Sequence, residues 1–348
     1  MIDRSFSISS FLALRFTEKP EVDFTEKLKY RHPEPPSDKN RIFVHTGNDI
    51  SKALQSQIEE KKKDYKRIGI LLSGGMDSAI LASFLPGIDA YTFRFLGGEY
   101  QKGELQRAEY YANKNNITLH YVDIDWSTVT NNLKAVMLKK GGPVHSIEPQ
   151  IYQGALNAKK DGIDLMIIGD ASDYIFGGMD KLLSKDWTFE SFMKRYIYVD
   201  PFEVLKEPMS VQYVFERYRE GEGINYVEVL EKLATQESYG SYDNAFIAAG
   251  MDYFDPYERL KMADPLDLER VRRGESKYLI RDLFRTRYPD YPVPEKIPMP
   301  RPVDTYFADW TGPTRLEFKD NLDLSRYDGN QKWLMWCLEE FLNMIDEL

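Results

Sequence analysis

A strand that runs directly into a pair of glycines constrains this fold more than any other feature of the sequence. Residues 67–73, RIGILLS, have a continuously apolar centre, and a helical pattern, MDSAILASFL, begins just after Gly74 and Gly75. A strand that is apolar on both sides must be covered on both faces, which is typical of a parallel sheet flanked by helices. The chain is therefore expected to fold around such a sheet.

The same alternation of strand and helix continues along the chain. Further strand patterns begin at Ala90, Thr118 and Asp164, and helical patterns lie between them. Strands that alternate with helices of about ten to fifteen residues indicate right-handed crossovers and an α/β fold with a doubly wound parallel sheet. Ligands of such sheets bind beyond the carboxyl ends of the strands.

Three regions are predicted along the chain. Residues 1–50 are predicted to form an N-terminal appendage with short strands, and residues 51–200 the α/β core. Residues 201–348 are predicted to form a helical region that completes the domain, because strand signals fade there and helical periodicity with aromatic anchors takes over. The proline-rich stretch 288–303 is expected to be either a lid or a linker.

The loop from Ser73 to Ser78, between the first strand and its helix, has the composition of a phosphate cradle. Gly74 and Gly75 allow a sharp turn and a close approach of the backbone to a ligand. Amide N–H groups and the two serine hydroxyls then point at an anion near the positive end of a helix. The loop lacks the Lys-Ser/Thr ending of a Walker A loop, and Asp77 adds a negative charge that only a bound cation makes useful beside phosphates. This predicts Mg²⁺.

A second polar segment, IIGDASDYIFGGMD, follows the fourth predicted strand at residues 167–180. Asp170 and Asp173 place two carboxylates three residues apart at the ligand-bearing rim of the sheet, and a glycine pair supplies flexible backbone nearby. This segment is therefore a second candidate part of the site.

The two segments carry a resemblance to a known family. SGGMDS after an apolar strand resembles the pyrophosphate-binding loop of the ATP pyrophosphatase superfamily, and it is called the PP-loop below. The second segment resembles the Gly-Glu-Gly-Ser/Ala-Asp-Glu-x-x-x-Gly-Gly signature of the asparagine synthetase branch. The matching positions are Gly169, Ser172, Asp173, Gly177 and Gly178. Asp170 stands where that family has a catalytic glutamate, and Tyr174 where it has a second glutamate.

The resemblance extends from about residue 51 to about residue 300. Four later positions fall at the family's spacing, although the arginine that precedes the proline in the family is missing: Asn244, Gly250, Asp252 and Pro256. Lys277 and Arg281 match a Lys-x-x-x-Arg segment whose lysine contacts pyrophosphate or the tetrahedral intermediate. With Arg285 they are expected to share one helical face, where phosphate or nearby acidic residues such as Asp282 offset their repulsion.

The resemblance implies a fold of the ATP pyrophosphatase (adenine nucleotide alpha hydrolase-like) type and an ATP-dependent ligase. Such an enzyme adenylates a carboxylate, releases pyrophosphate and transfers the acyl group to ammonia or an amine. It implies ATP and Mg²⁺, with Lys277 and Asp170 as catalytic residues and Asp77 and Asp173 as metal ligands. The nucleotide contacts it implies are Leu71, Ser73, Gly74, Gly75, Asp77, Ser78, Phe95 and Gly169. Leu71 and Phe95 suit the core equally well.

The sequence also limits the source of nitrogen. No cysteine follows Met1, and the first fifty residues are too few for the family's glutaminase domain. The expected donors are therefore free ammonia, a separate ammonia-supplying subunit or an amine on a substrate.

The charge balance sets expectations about partners and location. With 56 acidic and 46 basic residues the formal charge is −10, which disfavours nucleic acid and anionic lipid as partners. No long apolar stretch occurs, so a cytoplasmic location is expected. Cys337 is predicted to be a buried thiol, and the scattered histidines predict no zinc site.

Two other functions stay open, and so do the acid substrate and the oligomeric state. A tRNA-modifying enzyme can use the same loop, although it would favour a basic groove and paired cysteines. A non-catalytic ATP-binding regulator would fit the changes at Asp170 and Tyr174.

Overall fold

The computed structural model describes residues 1–96, 101–295, 299 and 301–348. The strands within these residues are β1 (Ile42–Val44), β2 (Ile68–Leu71), β3 (Asp89–Phe95), β4 (Thr118–Ile124), β5 (Leu165–Ile167), β6 (Arg219–Glu220), β7 (Gly223–Ile224), β8 (Asp252–Phe254) and β9 (Leu260–Met262).

The α-helices within the same residues are α1 (Arg4–Leu14), α2 (Gly47–Asp64), α3 (Met76–Ala82), α4 (Lys102–Lys114), α5 (Trp126–Lys140), α6 (Glu148–Lys160), α7 (Ser172–Ile175), α8 (Phe189–Tyr196), α9 (Pro201–Val204), α10 (Gln212–Glu216), α11 (Tyr226–Val229), α12 (Thr235–Ala249), α13 (Leu268–Arg272), α14 (Tyr278–Arg287), α15 (Val303–Tyr306) and α16 (Gly329–Glu347). Short 3-10 turns lie at Asp38–Asn40 and Leu324–Arg326. A π-helical turn at Leu230–Ala234 joins α11 to α12.

The central sheet has the strand order β4-β3-β2-β5-β8, and every pairing in it is parallel. From β2 the chain builds outwards through β3 and β4 on one side, and later through β5 and β8 on the other. The direction of winding therefore reverses between β2 and β5, which is the switch point where open α/β sheets bind ligands. The predicted doubly wound parallel sheet is confirmed.

The four residues from Leu165 to Ile168, which include β5 and the residue after it, pack alternately in two cores on opposite faces of the sheet. Met166 and Ile168 pack in one buried cluster with α5, α6, α12 and α16. Leu165 and Ile167 pack in a second cluster with α2, α3, α4 and α14. A sheet that is covered on both faces explains why its central strands, β2 and β5, carry no polar side chain. Cys337 is fully buried in the first cluster, as predicted.

The four strands predicted for the core are confirmed, but β8 lies in the region predicted to be helical. It has only three residues, so it is too short to carry a periodic signal. Its place in the sheet comes from pairing with β5, where Met166 lies opposite Tyr253. A second parallel pair, β1 with β9, likewise joins two short segments that are far apart in the sequence.

The prediction of short strands at the N-terminus is wrong for its first part, which forms α1. The Asp3 carboxylate accepts a hydrogen bond from the Phe6 amide at 2.9 Å and caps the helix. Every residue from Phe6 to Leu14 is buried, so the helix has no polar stripe from which its period could be read. It packs on α9 and α16, and its Phe11 belongs to the first buried cluster.

Residues 296–298 and 300 of the proline-rich stretch lie outside the described residues. The prediction that this stretch is a lid or a linker falls on them and stays a prediction. Among the helices that are described, none combines the length and the apolarity needed to cross a membrane.

Candidate active site

A cleft opens at the carboxyl edge of the sheet, at the switch point between β2 and β5. Its walls come from the PP-loop, from the loop that follows β5, from the start of α14 and from side chains of β3, α4 and α12. The structure brings ten of the predicted site residues into these walls: Leu71, Ser73, Gly74, Gly75, Asp77, Ser78, Gly169, Asp170, Asp173 and Lys277.

The PP-loop is held in shape by its own serines. The Ser78 hydroxyl accepts a hydrogen bond from the Ser73 amide at 3.1 Å, and the Ser73 hydroxyl accepts one from the Gly75 amide at 3.1 Å. The two hydroxyl oxygens lie 3.0 Å apart. The hydroxyls therefore stabilise the turn that precedes α3, whereas the sequence predicted that they point at an anion.

Gly74 is required because α4 packs directly against the PP-loop. A Cβ at this position would lie 2.6 Å from the Glu104 carbonyl oxygen, closer than a side chain can come. The Arg107 Nε donates to the Gly74 carbonyl at 2.9 Å and so fixes the loop from the same helix. Glu104 and Arg107 both line the cleft, and burial raises the pKa of Glu104.

The Lys277 ammonium joins the two loops. Its Nζ donates to Asp77 Oδ2 at 2.5 Å and to Asp173 Oδ1 at 2.9 Å. Gly178 permits this approach, since a Cβ there would collide with Asp173 and with the Lys277 side chain. Burial acts to lower the pKa of Lys277, but the negative charges of Asp173 and Asp77 outweigh it and the pKa is raised. The cleft therefore holds a fixed positive charge between two carboxylates.

The prediction that Lys277, Arg281 and Arg285 share one helical face needs correction. Lys277 lies just before α14 in the left-handed conformation, with φ 56°, so its side chain leaves the helical pattern. Arg281 lines the cleft and its Nε donates to the Ser276 carbonyl at 2.6 Å. Arg285 is exposed and pairs with Asp282 at 2.8 Å, the acidic alternative that the sequence suggested.

The predicted metal ligands fit Mg²⁺ by the chemistry of their oxygens. Besides binding Lys277, Asp77 accepts a hydrogen bond from the Ser172 hydroxyl at 2.6 Å through its Oδ1. Protein sites for Mg²⁺ commonly use one or two carboxylates together with substrate phosphates. Within the described residues no group of three or more His, Cys, Asp or Glu side chains forms a metal site. Asp77 and Asp173 therefore suit Mg²⁺ that is held jointly with a polyphosphate.

Asp170 lies in the cleft wall, and its Oδ2 accepts a hydrogen bond from the Ser238 hydroxyl at 2.6 Å. Burial, together with the charges of Asp255 and Asp173, raises the pKa of Asp170 to about 8, although the Ser238 hydrogen bond acts in the opposite direction. A carboxyl group with such a pKa exchanges its proton near neutral pH.

Asp255 holds the loop that carries Asp170. Its Oδ2 accepts hydrogen bonds from the amides of Asp170 at 2.9 Å and Ala171 at 2.7 Å, and its Oδ1 accepts one from the Tyr257 amide at 2.9 Å. Burial raises the pKa of Asp255 to about 7, against these backbone hydrogen bonds. Burial and the charges of Asp255 and Asp170 raise the pKa of Glu258 to about 9. Burial thus raises the pKa of all three neighbouring carboxyl groups.

The sequence model of the family described as Asparagine synthase matches residues 49–238, more than half of the chain. The chain belongs to the asparagine synthase family. Membership supports an ATP-using enzyme of the PP-loop type, in agreement with the resemblance seen in the motifs. No curated protein sequence matches the chain.

Several solved structures of PP-loop enzymes are also similar to this member of the asparagine synthase family. NMN synthetase from Francisella tularensis is 15% identical over 64% of this chain and 100% of that chain, with a TM-score of 0.30. The U34-tRNA thiolase from Methanococcus maripaludis is 11% identical over 72% of this chain and 82% of that chain, with a TM-score of 0.30. Glutamine-dependent NAD+ synthetase from Acinetobacter baumannii is 16% identical over 86% of this chain and 52% of that chain, with a TM-score of 0.29. These likenesses are too distant to bear on function.

The two predicted adenine contacts of this asparagine synthase family member lie in different parts of the structure. Leu71 lines the cleft and is only partly buried, so it is available to a nucleotide. Phe95 is 3% exposed and packs in the first buried cluster, and it is not among the described residues that line the cleft. The ring therefore serves the core, which is the other role that its sequence position allowed.

Sequence reasoning missed several residues of the site. Glu104 and Arg107 lie in the first two turns of the helix after β3, on the ligand-bearing edge, and that position was a usable signal. Tyr242 lines the cleft, and Ser238 and Asp255 contact Asp170. These three gave no such signal, because the packing of α12 and the pairing of β8 bring them there.

Proposed function

We propose that this chain is an ATP-dependent ligase that joins a carboxylate to ammonia or an amine. The observation that carries the proposal is the Lys277 ammonium, which is fixed between Asp77 of the PP-loop and Asp173 beside the switch point. A buried cation at this place suits a reaction in which negative charge develops on a departing pyrophosphate.

The proposed reaction has two steps. In the first, a carboxylate oxygen attacks the α-phosphorus of ATP, the bond from that phosphorus to the bridging oxygen breaks, and pyrophosphate leaves with the electron pair. In the second, a nitrogen attacks the acyl carbon, AMP leaves with the electron pair of the acyl–oxygen bond, and the nitrogen gives up a proton. Holding the reactants in line can contribute roughly 7–11 kcal/mol to lowering the barrier.

Three cationic side chains in the cleft suit the phosphate end of this reaction. Lys277 is placed to stabilise charge on pyrophosphate or on the tetrahedral oxyanion, while Arg107 and Arg281 line the same cleft. Asp77 and Asp173 would hold Mg²⁺, which when bound neutralises charge on the polyphosphate. The glycine backbone of the PP-loop is the proposed contact of the β and γ phosphates.

Asp170 is the proposed proton acceptor of the second step. Its raised pKa of about 8 lets it lose a proton to solvent and take one from the attacking nitrogen under mild conditions. Its side chain is one methylene shorter than the family's glutamate, and the hydrogen bond from Ser238 fixes its direction. Free ammonia, an ammonia-supplying subunit and a substrate amine are all compatible donors.

The test is an assay for AMP and pyrophosphate. The protein is incubated with ATP, Mg²⁺, ammonium and a panel of carboxylic acids, and the product is identified by mass. We expect equal amounts of AMP and pyrophosphate with the correct acid, and a loss of at least about 100-fold in the Asp77→Asn variant. Asp64→Asn, at the exposed end of α2, is the matched control and should behave like the wild type.

Three outcomes would overturn the proposal. Release of ADP and phosphate would indicate a different activation chemistry. Tight ATP binding without AMP across the whole panel would indicate a non-catalytic nucleotide-binding protein. Modification of tRNA without any added acid would indicate the tRNA-modifying alternative.

A further inference from the structure

Arg107 is a cation of the cleft that belongs to none of the motifs that match the family. It lies on α4 and lines the cleft, and its Nε donates to the Gly74 carbonyl at 2.9 Å. That bond fixes the guanidinium against the PP-loop. Among the described residues Arg107 makes no other hydrogen bond, so both of its Nη groups stay available to a ligand.

The place of Arg107 beside the PP-loop follows from helix packing. Both α4 and α14 pack against α3, the helix that begins in the PP-loop. The first turn of α4 lies so close to the loop that a Cβ at Gly74 would come within 2.6 Å of the Glu104 carbonyl oxygen. Lys277 reaches the same loop from the start of α14. A phosphate on the PP-loop therefore has one cation on α4 and another beside α14.

These two cations differ in the charges around them. Lys277 donates to Asp77 and to Asp173, so its charge is already offset. Among the described residues no carboxylate forms an ion pair with Arg107, which is only partly exposed. A guanidinium in this state favours an anionic ligand, and its planar fork matches the oxygens of a phosphate group.

Glu104, one turn earlier on α4, is the acidic neighbour of Arg107. Its carboxylate does not take up the free donors of Arg107: Glu104 Oε2 is buried and has no hydrogen-bond partner among the described residues. The side chain packs against the PP-loop, since a Cβ at Gly74 would lie 2.8 Å from the Glu104 Cγ. Burial raises the pKa of Glu104, although the charge of Arg107 acts to lower it.

We propose that Arg107 binds the terminal phosphate of ATP and is the residue through which the cleft prefers ATP to ADP. This inference rests on the proposed function, in which the β and γ phosphates lie on the PP-loop. The γ phosphate takes no part in bond breaking, so binding energy from it serves to hold pyrophosphate in line as the leaving group. Two Nη groups match two phosphate oxygens, whereas a lysine offers only a point charge.

The test compares ATP with ADP, which lacks only the γ phosphate, in direct binding. Each nucleotide is titrated by calorimetry into the full chain with Mg²⁺ and without an acid substrate. We expect the wild type to bind ATP at least about tenfold more tightly than ADP. In Arg107→Gln the two affinities should lie within about twofold of each other, because only ATP loses a contact. Arg107→Lys should restore part of the preference.

Arg219→Gln is the matched control. The Arg219 Nε also donates to a backbone carbonyl, that of Gly221 at 3.1 Å, but Arg219 is exposed and is not among the described residues that line the cleft. This variant should keep the wild-type preference. Melting temperatures show whether each variant is folded. If Arg107→Gln does not fold, Arg107→Lys decides, and its preference should be at least about threefold below that of the wild type.

Equal binding of ATP and ADP by the wild type, including no binding of either, would overturn the proposal. So would an unchanged preference in Arg107→Gln, or in Arg107→Lys where the glutamine variant does not fold. A parallel loss of ATP and ADP affinity in Arg107→Gln would show that Arg107 only supports the shape of the PP-loop through Gly74, and this result would also overturn the proposal.

The AMP assay separates this inference from the ligase proposal. An ATP preference that depends on Arg107, without AMP formation by the wild type with any acid, leaves the phosphate contact standing and removes the ligase. AMP formation by the wild type and by Arg107→Gln with the same KM for ATP leaves the ligase standing and removes the phosphate contact.

Discussion

Lys277 Nζ lies 2.5 Å from Asp77 Oδ2, although the two residues are 200 positions apart in the chain. The contact ties the start of α14 to the PP-loop, and the second bond from Lys277, to Asp173, ties both to the loop after β5. A single buried ammonium therefore ties together three segments that line the cleft. Its removal should affect both activity and stability.

Lys277→Met is expected to lower ATP-dependent pyrophosphate release by at least about 100-fold, because the charge that faces the leaving group is lost. The free energy of unfolding should fall by about 1–3 kcal/mol, since two carboxylates lose their shared donor. Pyrophosphate release and urea unfolding measure the two effects. Wild-type release by this variant would contradict the role given to Lys277.

Gly74→Ala is expected to disturb the PP-loop, because the new Cβ meets the Glu104 backbone at 2.6 Å. The cost should be about 1–3 kcal/mol in the free energy of unfolding, with ATP binding weakened at least about tenfold. Gly75→Ala is the control from the same loop, since its Cβ meets only the Ser73 hydroxyl, at 3.2 Å. Calorimetric ATP titration should separate the two variants. Equal affinities would show that the packing of α4 does not shape the loop.

Asp170→Asn is expected to change how stability depends on pH. The folded-state pKa of Asp170 is raised to about 8, above its unfolded value, so its contribution to stability is present at low pH and is lost as the pH rises through about 8. The asparagine variant has no such loss. Relative to the wild type it should therefore become more stable as the pH rises from about 5 to about 9.

Urea unfolding at several pH values across that range tests the expectation for Asp170→Asn. Asp64→Asn controls for the loss of an exposed carboxylate at the end of α2. A constant difference between Asp170→Asn and the wild type over the whole range would mean that the Asp170 carboxyl is not strained by burial.

Phe11→Ala is expected to destabilise the protein by about 3–5 kcal/mol, because this ring is fully buried in the first cluster. Phe43→Ala is the matched control, since that ring is 60% exposed, and it should cost no more than about 0.5 kcal/mol. Thermal or urea unfolding gives both values. A small effect at Phe11 would mean that the N-terminal helix is dispensable to the core.

Much of the fold and part of the site were predictable because their signals are local. The apolar runs of β2, β3, β4 and β5 identified the strands, and the glycine pair after β2 identified the PP-loop. Asp77 and Asp173 follow their strands within a few residues, so the parallel sheet brings them to one edge. The strand β8 escaped prediction because three residues carry no period.

The sequence by itself determined the parallel sheet, the two loops that line the cleft and the family, because periodicity and motif spacing act between near neighbours in the chain. Tertiary structure alone decided that Lys277 leaves its helix to bridge two aspartates, that Phe95 serves the core, and that Arg15 meets Glu237. These outcomes depend on which distant segments pack together and on which charges burial forces into contact. No local pattern encodes such pairings.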